Sequence, residues 1–302
     1  MSLPLVTINI PTYKQEKYIR RAIKSALNQD YPNLQILVSD DCSPDNTFAE
    51  ALKLASDKVT VFQTPRNLGR VGNYHYMLYE KATGDWVVNL DGDDYYSDPS
   101  FISTAIRRLQ EHPSAIMYVA GASELKEEKG TITHSPIYLD NNVTLLSGID
   151  YVLNFYKMGT VGQHFSVLYN RAQALSTGFY ILDSLGADTD SICRLALKGD
   201  VVIEKKWVGV WTSHGSNASY TLDESNVHKE ITMLEQIAKA AMEVGDKTKV
   251  KEWLEESKNM KLRAVLYERI RNSPKKEAYR LLFQNWNWKK QDIKELIKLL
   301  IR

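Results

Sequence analysis

The sequence predicts an α/β fold in which helices flank a mostly parallel sheet and a helical segment closes the chain. Three observations carry that expectation. Over the first 120 residues short β-branched runs alternate with stretches of helical periodicity, and repeated β-α-β order produces a parallel sheet covered on both faces. Polar clusters follow the strand-like runs, at the edge where ligands bind in such sheets. From His228 onward the pattern is helical.

Taken in order, the apolar run at 5–10 is ended by Pro11, and Ile19, Ala22, Ile23, Ala26 and Leu27 then recur at helical spacing before Pro32 breaks the chain. Buried strands are predicted at 34–39, 59–63, 86–90 and 116–120, with helices around 46–56, 71–82 and 100–111 between them. Turn-rich sequence at 134–148 marks a boundary or an insertion, and 151–220 returns to a mixed pattern. At the far end Ile293, Leu296, Ile297, Leu300 and Ile301 repeat as the stripe of an amphipathic helix.

Composition excludes several classes. A chain of 302 residues with 43% hydrophobic and 25% charged side chains is an ordinary globular protein of one or two cores, not a disordered one. Lys and Arg number 38 against 37 Asp and Glu, so no global charge draws it to nucleic acid, which is not expected as a partner. Cys42 and Cys193 are too few for a disulfide scaffold or a four-cysteine zinc site, and suit a reducing cytoplasm. No apolar run reaches the roughly 18 residues of a spanning helix, and the N-terminus lacks a signal-peptide layout. A soluble cytoplasmic protein, at most peripheral on a membrane, is the expectation. G-x-G-x-x-G after the first strand, G-x-x-x-x-G-K-[ST], H-E-x-x-H and G-x-S-x-G are all absent. Dinucleotide dehydrogenases, P-loop kinases and zinc or serine hydrolases are disfavoured accordingly.

The clusters that remain are acidic. Asp91-Gly92-Asp93-Asp94 sets three carboxylates directly after a predicted strand, where they repel unless a cation or donors sit among them. Mg²⁺ or Mn²⁺ held by one or two carboxylates and completed by substrate phosphates would answer that, and a solvated turn is the plainer reading. Asp40-Asp41-Cys42-Ser43 follows the second strand; a carboxylate there can accept from a base or a ribose hydroxyl, or Ser43 or Asp45 can cap the next helix. Arg70, after Asn67-Leu68-Gly69, can meet a phosphate at a helix N-terminus or stand on a plain turn.

These residues carry a resemblance. Val6-Thr7-Ile8-Asn9-Ile10-Pro11-Thr12-Tyr13, then Ala26-Leu27-Asn28-Gln29-Asp30-Tyr31-Pro32, Val38-Ser39-Asp40-Asp41-Cys42-Ser43-Pro44-Asp45-Asn46-Thr47, Asn67-Leu68-Gly69 and Asn89-Leu90-Asp91-Gly92-Asp93-Asp94 resemble, in order and spacing, the opening of the family 2 glycosyltransferases with the GT-A fold. The likeness continues more weakly to about residue 220, through 164–171, Ala187-Asp188-Thr189-Asp190 and Trp211-Thr212-Ser213-His214-Gly215-Ser216-Asn217. It implies a GT-A domain whose nucleotide-sugar half is 1–115 and whose acceptor half is 116–225, with 226–302 a helical extension. It also implies an inverting hexosyl transfer from a nucleotide diphosphate sugar, a UDP-sugar first, to a hydroxyl of a glycan, lipid-linked glycan or glycoprotein in bacterial surface-glycan or glycoprotein assembly, aided by Mn²⁺ or Mg²⁺.

On that resemblance Pro11, Thr12 and Tyr13 line the nucleoside pocket, Asp41 faces the base with Asp40 as a neighbouring candidate, and Arg70 is a donor contact. Asp91 and Asp93 form the DXD motif on ribose and metal, with Asp94 a second candidate for the metal, and His214 approaches the diphosphate or metal. Asp188 matches the position of the base that takes the acceptor proton, although Ala187 stands where the family carries Glu, which keeps Asp190 in view. The plainer reading of Asp188 is a helix N-cap. His164 either orients the acceptor or satisfies a core hydrogen bond, and Trp207 and Trp211 either stack on a sugar or pack in the core. Residues 289–302 hold five basic and two acidic side chains around their apolar stripe, beside Phe283, Trp286 and Trp288. Such a helix lies in an anionic membrane surface or packs on the catalytic domain or a second copy. Two other functions are weighed: a non-catalytic nucleotide-sugar-binding scaffold of the same fold, and sugar-nucleotide synthesis. The latter needs a glycine-rich basic loop where the chain has Pro11-Thr12-Tyr13-Lys14.

Overall fold

In a computed structural model, which describes residues 3–159, 162–215, 217, 224–284, 294 and 298, strand β1 (Val6–Thr12) is buried along its whole length. Val6, Ile8 and Ile10 alternate with Thr7 and Asn9, the period of two that gives a strand its two faces. β1 runs parallel to β2 (Leu34–Asp40) on one side and β4 (Trp86–Asn89) on the other, and β2 runs parallel to β3 (Val59–Gln63). Helices α1 (Ile19–Leu27), α2 (Thr47–Leu52) and α3 (Arg70–Tyr76), the last continued by a π turn at Met77–Lys81, form the crossovers. α1 buries Ile19, Ala22, Ile23 and Ala26. Each buried Ile contributes about 1.5–3 kcal/mol, which holds the helix on the sheet. Leu27, at the margin of that stripe, is exposed.

Beyond β4 the sheet changes character. After β5 (Tyr95–Tyr96) and α4 (Phe101–Glu111) comes the long β6 (Ala115–Lys126), which turns back through β7 (Thr131–His134); β8 (Val143–Ser147), α5 (Gly148–Asn154), β9 (Val167–Asn170), α6 (Arg171–Ser176), α7 (Ala187–Ala196) and β10 (Asp200–Ser213) follow. The strand order is β3-β2-β1-β4-β9-β6-β10-β5, with β7 on β6 and β8 on β10. Among the described residues four strand pairings are parallel and five antiparallel: β3-β2-β1-β4 is wholly parallel as expected from the sequence, and the rest of the sheet is mixed, with β6 and β10 parallel and the other pairs antiparallel. The cause is connection length: β6 and β7 are joined by a short turn rather than a crossover helix, which permits only antiparallel pairing. The segment read as a boundary or an insertion at 134–148 adds β8 to the same sheet, so it is not a boundary.

The C-terminal segment is helical, as expected: α8 (Glu224–Val244), α9 (Lys247–Asn272) and α10 (Lys275–Gln284). Met233, Leu234, Ile237, Ala238 and Ala241 of α8, with Val250 and Trp253 of α9, join the core that covers one face of the sheet. Asp246 caps α9 by accepting from the Thr248 and Lys249 amides. Farther out Tyr267 and Ile270 pack on Ala278, Leu281 and Leu282 as a separate cluster. The amphipathic stripe predicted at 289–302, with Trp286 and Trp288, lies outside the described residues. Among the described residues no helix is long and apolar enough to cross a membrane.

Candidate active site

The loops after β1, β2, β4 and β10 and the start of α7 enclose a cavity of about 720 Å³. Pro11, Thr12, Tyr13, Asp41, Arg70, Asp91, Asp93, Asp94, Asp188 and His214, all singled out from the sequence, line it and so meet in one place. Asp40 does not. Its carboxylate is fully buried and accepts from the Ser43 amide at 3.0 Å and from Gln63 Nε2 at 2.9 Å. That carboxylate is turned to Ser43 and Gln63, so only one of the two aspartates faces the cavity.

Asp41 is that one. It accepts from the Thr64 hydroxyl at 2.9 Å and from the amides of Leu68 and Gly69 at 2.8 and 2.9 Å, fastening the loop ahead of α3. Gly69 holds φ +76°, which L side chains rarely adopt. Asp45 accepts from the Thr47 amide at 3.1 Å as the capping reading predicts, although the N-cap itself is Asn46, and Ser43 Oγ accepts instead from the Lys14 amide. Gly92 has a steric reason of its own. A Cβ there would lie 2.4 Å from Gln15 Oε1 and 2.7 Å from Thr12 Oγ1, so glycine lets the acidic loop run against the end of β1.

Within that loop Asp91 Oδ1 accepts from the Tyr74 hydroxyl at 2.8 Å and stands 4.0 Å from His164 Nδ1. Burial in the cavity wall pushes the Asp91 carboxyl upward; His164 opposes this and the charge of Asp93 adds to it. Asp93 Oδ2 is 3.0 Å from His214 Nε2. That hydrogen bond, against a smaller cost of burial, raises the His214 pKa. Asp94 accepts from the Thr212 amide at 2.8 Å, and its burial beside two further carboxylates pushes its pKa well above the ordinary value. Among the described residues no three metal-ligating side chains cluster together. An oxygen and a nitrogen donor converging at Asp93 and His214, amid crowded carboxylates, nonetheless fit a divalent cation that takes its remaining ligands from a substrate.

The strand that brings His214 here is irregular. β10 shifts register against β6 between Ile203 and Trp207 and again before Gly209, where a Cβ would meet the Phe165 ring at 2.7 Å. Past the bulges Trp211 lines the cavity, whereas Trp207 donates its indole N–H to Ser135 O at 2.7 Å and does not.

On α7 the N-cap is Gly186 without a side-chain cap, so Asp188 is not the cap of that helix. It is half-buried and faces the cavity. Asp190 is fully buried, paired to Arg194 at 2.6 Å, and does not line the cavity. Ala187 is packed in the core. Arg70 donates to Ser184 O at 2.8 Å and Leu185 O at 3.0 Å, tying α3 to the loop that enters α7. Burial disfavours its charge, but Tyr74, Asp188 and Asp91 outweigh that and hold its pKa above the usual value. His164 Nε2 lies 2.5 Å from the Tyr180 hydroxyl, and burial lowers its pKa, so the ring is a neutral, hydrogen-bonded member of the wall. Tyr180 reaches it from a left-handed backbone with φ +57°. Sequence reasoning missed Gln15, Asn73, Tyr74 and Gln163, which also line the cavity. Tyr74 lies in a predicted helix, where an aromatic reads as core.

The profile of glycosyl transferase family 2 matches residues 7–172, more than half of the chain. The chain belongs to that family. It is 36% identical over 115 residues to an uncharacterized glycosyltransferase of Haemophilus influenzae, covering 37% of this chain and 45% of that protein. It is 30% identical over 116 residues to the poly(ribitol-phosphate) β-N-acetylglucosaminyltransferase TarS of Staphylococcus aureus, covering 37% of this chain and 20% of that protein. The matches thus span less than half the length of these relatives. The structure of TarS 1–349 in complex with UDP-GlcNAc superposes with a TM-score of 0.67 at 17% identity, over 98% of this chain and 79% of that one. The mannosyltransferase PcManGT of Pyrobaculum calidifontis, in complex with GDP-Man and Mn²⁺, gives 0.58 at 16% identity, over 100% of this chain and 87% of its own. Likeness at these identities concerns the fold, and bears out the GT-A expectation.

Proposed function

We propose that this glycosyltransferase moves a hexosyl group, with inversion and with a divalent metal, from a UDP-sugar to a hydroxyl of a glycan, lipid-linked glycan or glycoprotein. The observation that supports this most is the one cavity that gathers Asp41, Asp91, Asp93 and His214 with Asp188 from four separate segments. Complexes of fold relatives with UDP-GlcNAc and with GDP-Man and Mn²⁺ support a nucleotide-sugar donor.

In this reading the 1–115 half binds the donor, the 116–225 half binds the acceptor, and 226–302 is an extension. Pro11, Thr12, Tyr13 and Asp41 hold the nucleoside, a carboxylate and an aromatic suiting uracil. Asp91 takes the ribose, and Asp93 and His214 hold Mn²⁺ or Mg²⁺. The ion would neutralise the departing diphosphate. Arg70 adds positive charge beside the diphosphate while holding the loop before α7. Asp188 accepts the proton of the acceptor hydroxyl as its oxygen attacks the anomeric carbon from the face opposite the diphosphate, so configuration inverts. Asp94 keeps the end of β10 in place through Thr212. Cys42 and Cys193 are free thiols, which suits work in a reducing cytoplasm.

The test is a thermal-shift and calorimetric screen of UDP, GDP, dTDP and CMP, each with Mn²⁺ and with chelator, since a ligand of the folded state raises its stability. Metal-dependent stabilisation by UDP is expected. A flat response to all four would sink the enzymatic reading.

A further inference from the structure

The His214 amide donates to Asn217 Oδ1 at 2.5 Å, and its Nε2 meets Asp93 Oδ2 at 3.0 Å. An aromatic face also meets the imidazole. The ring of Tyr18, at the N-cap of α1, lies face to face with the imidazole, centroids 5.1 Å apart and planes within 9°. Offset stacking of this kind fixes the orientation of a ring as well as its position.

Tyr18 is itself held from far along the chain. Its hydroxyl donates to Glu127 Oε2 at 2.7 Å, and Glu127 opens the 3₁₀ turn Glu127–Lys129 that joins β6 to β7. Its amide donates to Gln15 O at 2.9 Å. One helical turn later Arg21 donates to Asp93 O at 2.7 Å and to Thr212 Oγ1 at 2.7 Å, so the start of α1 braces both the acidic loop and the end of β10. Asp93, His214, Tyr18 and Glu127 come from four segments, and the last reaches across from the acceptor half.

We infer that Tyr18 is a positioning residue for His214, setting the plane of the imidazole by stacking, with Glu127 as the tether that holds Tyr18 in place. The geometry of the stack stands without any ligand, whereas its consequence for metal rests on the reading of Asp93 and His214 given above. Outer groups that orient a ligating histidine commonly matter about 10–100-fold for metal affinity. Here the outer group is an aromatic face rather than a carboxylate.

The experiment compares Tyr18→Leu, Tyr18→Phe, Glu127→Gln and His214→Ala in the full chain, with two readouts. The first is the NMR signal of the His214 imidazole in chelator, which reports ring order without metal. The second is UDP affinity by calorimetry with and without Mn²⁺. Tyr18→Leu should broaden or shift the imidazole signal and lower the Mn²⁺-dependent affinity about tenfold, leaving the affinity in chelator unchanged. Tyr18→Phe keeps the ring and loses the tether; it and Glu127→Gln should each lose about threefold, the scale of one side-chain hydrogen bond, and the double variant no more than either. A wild-type imidazole signal in Tyr18→Leu overturns the proposal. Should Tyr18→Leu not fold, additive losses in Tyr18→Phe and Glu127→Gln overturn it. If His214→Ala keeps its full Mn²⁺ response, the metal reading of His214 fails by itself, and the imidazole signal alone decides for or against Tyr18.

Discussion

Two walls of the cavity hold carboxylates under opposite conditions. Those that follow the parallel strands are all engaged: Asp41 with three donors, Asp91 with Tyr74, Asp93 with His214, Asp94 with Thr212. Asp188, on the helix opposite in sequence and element, has no hydrogen-bond donor among the described residues; Arg70 acts on it only through charge. The contrast separates two jobs. A carboxylate whose lone pairs are occupied is fixed in space and shapes a site, whereas one with free lone pairs can take up a proton from whatever enters.

The strongest way to break that contrast is Asp188→Asn. Turnover should fall by about 10²–10⁴-fold while UDP affinity stays at the wild-type value, measured by steady-state transfer and calorimetry. Retained turnover would remove the distinction between the walls. Asp93→Ala attacks the engaged wall and should lower Mn²⁺-dependent UDP affinity by at least about tenfold, the effect of even an outer-shell change at a metal site. An affinity that does not respond to this change would make Asp93 purely structural. Gly92→Ala sharpens the comparison without touching a carboxylate: the new Cβ meets Thr12 as well as the more yielding Gln15. Urea denaturation should show a loss of about 1–3 kcal/mol, as for other overpacked sites.

The smallest effects are in pH dependence. In chelator, NMR titration should place the His214 pKa above the ordinary imidazole value, because Asp93 accepts from its charged form, and His164 below it, because burial disfavours its charge. The signs for stability are then opposite. The His214 contribution is complete below its unfolded pKa and is lost as pH rises through the folded one. The His164 contribution is complete above its unfolded pKa and is lost as pH falls towards the folded one. Shifts in the same direction for both rings would show that burial at His164 and the Asp93 partner of His214 do not set the two imidazoles apart.

How far the sequence could be read depended on whether a feature was local. Asp91, Asp93 and Asp41 were legible because polar residues directly after a buried run sit at a sheet edge, and the helix of Asp188 because its apolar positions recur as Ile192, Leu195 and Ala196. Choosing Asp41 over Asp40 needed the register of a strand end, which periodicity leaves open by one residue. Asp190 was set aside by an ion pair within its own helix, at a spacing visible in the sequence but without the burial that makes it decisive. The mixed half was hidden because the position of β9 between β4 and β6 depends on contacts far apart in sequence. For the same reason Tyr74, Arg21 and Gln15 carried no signal of their own.

The sheet that joins the two proposed halves also bears on how the proposed reaction would run in time. β9 is hydrogen-bonded to β4 on one side and β6 on the other, which ties the halves into one sheet. On the proposed function, entry of the donor and departure of the nucleotide would then be gated by the loops at the strand ends. If release limits the rate, as in many transferases whose loops close over substrate, the residues that set the turnover number lie in those connections rather than in any interdomain hinge.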